Sequence, residues 1–239
     1  MAAVLKSGGG NSSQQHCVEC LQPSPRSPFC SSACEDAYAA RGGKLLERVD
    51  LSALHTLKVE QDRKFPLLIA SLLASLLAEL KATGRLPEPW LPLELCYAEL
   101  HAEADAQTEE EHSQLLRAFA QAGLANSQTL ELFLPLRRYR RLLGAAQLNA
   151  FELSLSHGAR VSALLPGVAS MFNHSCEPNV LISCAESTRV GFVAHGDVAE
   201  GDELCISYVA LDDSAKERKH LLLHKYAFDC MCPRCQRGE

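Results

Sequence analysis

The sequence predicts an α+β protein. A long leucine-rich stretch with helical spacing fills the first half. Short alternating apolar runs, separated by turn residues, follow from residue 149. Two clusters of closely spaced cysteines stand near the two ends of this arrangement. Helical and strand patterns are thus segregated along the chain, which is the α+β order.

The 239 residues suffice for one substantial domain and a small module. Hydrophobic residues make up 47% and charged residues 22%, so a packed core is feasible and the composition argues against global disorder. A net charge of −6 argues against a nucleic-acid binder relying on bulk electrostatics. It leaves room for a locally basic partner such as a lysine-rich protein segment. Residues 1–15 are small, polar and glycine-rich, with no apolar core of a secretory signal, and read as a disordered tail. The most apolar stretch, Leu67 to Leu80, is expected to be too short for a bilayer and is interrupted by Glu79. A soluble intracellular monomer, cytoplasmic, nuclear or both, is expected, with no membrane and no direct nucleic-acid partner. In a reducing compartment, clustered cysteines among the 11 present more often bind metal than form disulfides.

Residues 16–48 form the first module. Cys17-x2-Cys20 and Cys30-x3-Cys34 are two close pairs joined by a loop, with too few apolar neighbours for a core of their own. Two such pairs can supply a tetrahedron of thiolates to one structural zinc, with no open position for catalysis. Residues 49–148 read as helical. Ile69, Leu72, Leu73, Leu76, Leu77 and Leu80 recur as one amphipathic stripe, with Pro66 near the start and Gly84 and Pro87 at the end. Thr108 with Glu111 reads as a capping box opening a helix that Gly123 closes. Arg137, Arg138, Arg140 and Arg141 read as a solvated face of a third helix.

Residues 149–211 carry the strand pattern. Val180, Ile182 and Cys184 alternate, as do Val190, Phe192 and Ala194. Leu204, Ile206 and Tyr208 share a face after a turn at Glu200-Gly201-Asp202. Residues 212–239 hold a helix from about Asp213 to Tyr226 and then Cys230-x-Cys232-x2-Cys235, three thiols that need a fourth ligand from elsewhere. Cys176 is the best candidate. Cys96, Cys184 and Cys205 read as small core residues, and His157, His195, His220 and His224 form no ligand set.

Three motifs in order carry a family resemblance. Asn173-His174-Ser175-Cys176-x-Pro178-Asn179 resembles the SET-domain signature. Gly201-Asp202-Glu203-Leu204-x-Ile206-Ser207-Tyr208 resembles the SET segment bearing the active-site tyrosine. Tyr226-x-Phe228-x-Cys230-x-Cys232-x2-Cys235 resembles a post-SET zinc motif. Their order and spacing are similar to the SET and MYND (SMYD-type) protein-lysine methyltransferases, whose SET domain is interrupted by a zinc finger. The resemblance implies a partial SET β-fold with a helical insert, and a second structural zinc on Cys176, Cys230, Cys232 and Cys235. It also implies a reduced, single-zinc MYND-like module at the first cluster.

The implied reaction is methyl transfer from S-adenosylmethionine to a lysine of a protein substrate, histone or not. By the same resemblance, Asn173, His174, Ser170 and Asn149 contact the cofactor and Tyr208 stands by the transferring methyl. Tyr226 and Phe228 wall the lysine channel and pack on the adenine. The family also has a first stretch of SET domain, with a glycine-containing turn, ahead of its finger. Ser7 to Gly10 holds three glycines, but no strand is expected before them, so this turn is expected to be absent. An incomplete copy of a longer enzyme, or an inactive zinc module that binds a protein partner, are the other expectations.

Overall fold

The computed structural model describes residues 4–7, 17–20, 22, 24, 28–61, 65–85, 106–154, 160–164, 168–183 and 190–239. The chain divides into two units, Met1–Pro166 and Gly167–Glu239, each with its own contacts. His16, Pro87, Cys96, His157 and Cys184 lie outside the described residues, as do residues 1–3 and 8–15 of the expected tail.

The first unit is mainly helical. It holds α1 (Ser32–Ala40), α2 (Gly43–Leu46), α3 (Ser52–Gln61), α4 (Phe65–Thr83), α5 (Ala106–Gln121), α6 (Ser127–Phe133) and α7 (Leu136–Asn149). Its core gathers Leu54, Leu67, Leu68, Ile69, Leu73, Leu115, Phe119, Leu130, Tyr139 and Leu142, all nearly or fully buried. The expected single stripe on α4 is too narrow: Leu67, Leu68, Ile69, Ala70, Leu73, Ala74, Ser75, Leu76 and Leu77 are all buried. A helix apolar on most sides is a central helix, not a surface one. Pro66 takes the second position, where its missing N–H costs nothing. The helix spans 19 residues, so by length and composition it could cross a membrane, contrary to the shorter span expected; over half of its apolar window is buried inside the unit.

Two further expectations are corrected. α5 begins at Ala106, so Thr108 lies inside the helix and is no N-cap; it and Glu111 are buried. Gly123 does close that helix, with φ +66° and an N–H to the Ala120 carbonyl, followed by Leu124 N–H to Phe119. The arginine face of α7 is not simply solvated. Arg137 is exposed, whereas Arg138 donates to the Phe133 carbonyl and half-buried Arg140 pairs with Glu109 at 2.8 Å.

A three-stranded antiparallel sheet completes this unit, in the order β1 (Val4–Ser7), β3 (Arg160–Leu164), β2 (Ala150–Ser154). Val4 faces Ala163, and Phe151 faces Ala163 from the other side. A strand at Val4–Ser7, directly before the three glycines, corrects the expectation of an unstructured tail with no strand. Its partner is over 150 residues away in sequence, so no local pattern announces the pairing.

The second unit is small. β4 (Asn173–His174) pairs in parallel with β7 (Cys205–Ile206), and β5 (Val180–Ser183) pairs antiparallel with β6 (Gly191–Ala194). A 3-10 turn, Val168–Met171, precedes β4. Leu204, placed on one face with Ile206, is instead exposed, because the strand is only two residues long. Then come α8 (Ala215–Tyr226) and α9 (Pro233–Gln236). α8 opens on a full capping box, Ser214 with Glu217, and ends at Ala227 in the left-handed region.

Candidate active site and thiolate clusters

In the first unit, Cys17, Cys20, Cys30 and Cys34 bring their sulfurs within 4.8 Å of one another. Ser31 caps α1 by accepting from the Cys34 N–H, which fixes Cys34 on the first turn. Cys17 N–H to the Gln22 carbonyl and Val18 N–H to that of Pro28 fold the loop back. Burial opposes ionisation of Cys17, but the Cys20 and Cys30 N–H groups outweigh it and bring its thiol down to about 7. Behind the cluster, Phe29 packs on Tyr38 at 5.2 Å and Glu19 pairs with Arg41.

In the second unit, Cys176, Cys230, Cys232 and Cys235 form the same constellation within 4.8 Å. α9 begins on Cys232 and carries Cys235, with Pro233 at its first position. Burial of Cys232 is likewise outweighed, here by the N–H groups of Cys235 and Cys176, and its thiol falls to about 6. Sulfur pairs in the two clusters lie 3.4, 3.5 and 3.6 Å apart. Disulfide sulfurs lie about 2.05 Å apart. Sulfurs of a zinc tetrahedron with bonds of about 2.3 Å lie about 3.8 Å apart. The spacing fits the second arrangement, and none of the described cysteines is in a disulfide. Either cluster could hold one zinc.

Against the second cluster stands a group of rings. Tyr208 lies 4.8 Å from Tyr226 and 5.3 Å from His174, and His174 lies 5.9 Å from Phe228, centroid to centroid. The parallel pairing of β4 with β7 sets Asn173 beside Cys205 and His174 beside Ile206, which carries Tyr208 to the imidazole. Asn179 staples the same strand: its Oδ1 accepts from Cys205 N–H at 2.8 Å and its Nδ2 donates to the Glu203 carbonyl at 2.9 Å. Tyr208 donates its hydroxyl to the Phe172 carbonyl at 2.5 Å. Burial first, then the nearby Tyr226, Cys205 and Glu203, push its phenol up to about 12. Burial raises Tyr226 as well.

The imidazole of His174 is oriented at both nitrogens. Nδ1 accepts the Tyr208 N–H at 3.0 Å, so in the neutral ring the proton sits on Nε2, which faces the Cys176 sulfur at 3.3 Å. Burial, helped by the charge of Arg218, holds this histidine at about 4 and therefore neutral near pH 7. The ring thus links the cluster to Tyr208. Asn173 is exposed and donates to Glu203 at 2.6 Å.

The second unit therefore brings together Asn173, His174, Tyr208, Tyr226, Phe228 and the four cysteines. Ser170 lies in the turn just before them, half-buried. Asn149 belongs to the first unit, where it ends α7 and its Nδ2 donates to the Ala145 carbonyl at 2.8 Å. Sequence reasoning missed the stapling role of Asn179, although the motif contains it. It also missed Arg218, which is 1% exposed and donates from Nε to the Cys176 sulfur at 3.4 Å. An arginine in a charged helix, between Glu217 and Lys219, carries no local signal of such a role.

The sequence profile of the SET domain matches residues 78–209, more than half of the chain. A SET and MYND domain-containing protein of Dictyostelium discoideum is 32% identical over 96 residues, covering 40% of this chain and 25% of that protein. Histone-lysine N-methyltransferase ATXR4 of Arabidopsis thaliana is 26% identical over 226 residues, 87% of this chain and 66% of its own length. Histone-lysine N-methyltransferase Smyd1 of Mus musculus is 29% identical over 111 residues, 41% of this chain and 22% of that protein. The chain belongs to the SET-domain family, and SET and MYND domain-containing proteins are among its relatives. Its matches span under two thirds of these relatives, and only about a quarter of the Dictyostelium protein.

Proposed function

We propose that the protein is an S-adenosylmethionine-dependent protein-lysine N-methyltransferase. The observation that carries this reading is the setting of Tyr208, half-buried among His174 and Tyr226 beside the strand that bears Asn173. The donor set suits the cofactor: an exposed carboxamide on Asn173 for a polar end, and the rings of Tyr226 and Phe228 for a flat one. Bound S-adenosylmethionine supplies a methyl made electrophilic by its sulfonium.

The chain's own residues do the rest. Asn173, the backbone of His174 and Ser170 hold the cofactor. Tyr226 and Phe228 exclude water from the lysine channel. Aromatic faces attract the cationic amine. Desolvation between them lowers an amine pKa of about 10.4, so that the proton leaves before attack. Tyr208, protonated and anchored by Phe172, positions the reacting groups in line. Four-sulfur zinc sites, one in a reduced MYND-like module and one in a post-SET segment, are structural because their shells are closed. The substrate class is a protein bearing a target lysine. The names of the Arabidopsis and mouse relatives make histones the first candidates.

The test is transfer of a labelled methyl group to histones and other lysine-bearing proteins. Tyr208→Phe should slow it by about 10²- to 10³-fold, the usual loss for one positioned donor, with zinc content unchanged. Undiminished transfer by the variant overturns the role of Tyr208. No transfer by folded, zinc-loaded protein favours a module that binds a protein partner without turnover.

A further inference from the structure

Arg218 sits in the first turn of α8, 1% exposed, and Leu222 of the same helix shares a buried cluster with Cys235 of α9. Among the described residues its partners include the sulfurs of Cys176, at 3.4 Å, and Cys235, and the main-chain oxygens of Asp213 and of the last residue, Glu239. No side-chain carboxylate is among them. An arginine cannot shed its charge, and a cation shut off from water without a counter-charge is strongly disfavoured. Among the described residues beside it, the cysteine cluster can become negative. Four thiolates around a divalent zinc carry a net charge of about −2, whereas four thiols carry none. A deprotonated, metal-loaded cluster would set a counter-charge against the guanidinium at the Cys176 sulfur.

We propose that Arg218 is the counter-cation of the Cys176–Cys230–Cys232–Cys235 site and a positioning residue for Cys176. Its Nε–H and the Nε2–H of His174 converge on the same sulfur. Two N–H donors draw electron density from that thiolate, and the charge of Arg218 offsets part of the cluster's excess. The backbone anchors at Asp213 and Glu239 aim the guanidinium, so the donor is held in place before metal binds. Among the described residues no arginine donates to a sulfur of the first cluster, whose one nearby guanidinium, Arg41, pairs with Glu19. That cluster is an internal control.

This proposal rests on the zinc reading of the second cluster, so metal content comes first. Wild-type protein should hold two zinc ions, one of them lost in Cys232→Ser. A single zinc untouched by that change overturns the zinc reading itself. With two zinc ions present, zinc affinity is measured by chelator competition on the full chain, alongside the charge-transfer band of cobalt-substituted protein. Arg218→Met should weaken the second site about 10- to 100-fold, as loss of an outer-shell partner does, and leave the first unchanged. The cobalt–thiolate band should shift, and Arg218→Lys should recover part of the affinity. A merely structural role moves neither the band nor one site alone. Arg218→Gln, which keeps donors for the two backbone oxygens, is read in the same way if the methionine variant fails to fold. Unchanged affinity and an unchanged band in either folded neutral variant overturn the role of Arg218.

Discussion

The hydroxyl of Tyr208 is the atom on which the proposed chemistry depends, and its surroundings restrict what it can do. Pushed up to about 12 by burial and then by Tyr226, Cys205 and Glu203, the phenol keeps its proton at any pH where the protein works. It is a donor, not a base, and the Phe172 carbonyl already accepts from it. A folded-state value above the ordinary 10 means that the native state holds the proton more tightly than the unfolded chain. The associated stability is complete below pH 10 and is lost as pH rises from 10 to 12. Just above pH 10, then, tyrosinate absorbance of folded wild-type and Tyr208→Phe proteins should coincide, because Tyr208 contributes none. An excess of about half a tyrosinate in the wild type at that pH, as an ordinary tyrosine would give, would show the shift to be absent. His174 illustrates a second residue-scale point. The motif resemblance assigned it to the cofactor, yet its ring spans Cys176 and the Tyr208 amide, leaving only its backbone free for that assignment.

Among the elements, the junction of α1, α2 and α4 depends most on one small residue. Gly42 has φ +79°, and a Cβ there would lie 2.3 Å from the Ala74 carbonyl oxygen and 2.4 Å from its carbon. The contact is with helix backbone, which cannot rotate aside as a side chain would. Ser75, next along α4, donates to the Arg41 carbonyl at 2.6 Å and ties the same turn down. Gly42→Ala should therefore cost about 2–4 kcal/mol, the left-handed penalty plus overpacking. Gly123 has a similar φ of +66°, but among the described residues nothing lies within 4 Å of a Cβ there, so Gly123→Ala is expected to cost about 1–2 kcal/mol. Thermal unfolding of the two variants decides the point: equal losses would mean that the close approach at α4 is unimportant. Helix existence was legible in the sequence because periodicity is local; Gly84 and Gly123 mark their helix ends as read. What was not legible depends on distant partners. The full burial of α4 requires knowing that helices cover its other sides, and β1 needs β3. The capping box misassigned to Thr108 occurs at Ser214, where the Ser-x-x-Glu pattern is equally plain; pattern alone cannot say where the first turn starts.

At the scale of the whole chain, the two units are held by different means, and this too was partly legible. Cysteine spacing paired Cys17 with Cys20 and Cys30 with Cys34, because short-range ligands are a sequence property. Cys176 joins Cys230, Cys232 and Cys235 across more than fifty residues; the need for a fourth ligand made it a candidate, and the family resemblance implied the full set. Arg218 could not be read at all, since its partner sulfur is distant in sequence. The first unit has an extended apolar core from Val49 to Ala146. In the second, the cluster around the site consists of Leu222 and three buried cysteines, with Tyr208, Val209, Tyr226, Phe228 and Cys232 packed on it. So small an apolar cluster leaves the ordering of this segment dependent on a metal held by four thiolates, whose binding free energy is folding free energy. Removing zinc with a chelator should then act selectively. Amide hydrogen exchange in α8 and α9 should lose its protection, while α4 and α7 keep theirs, because Leu67, Leu68, Leu73, Leu142 and Ala145 remain buried without metal. Loss of protection in both units together would mean that they fold as one cooperative body. Unchanged protection in α8 would mean that the second unit stands without metal.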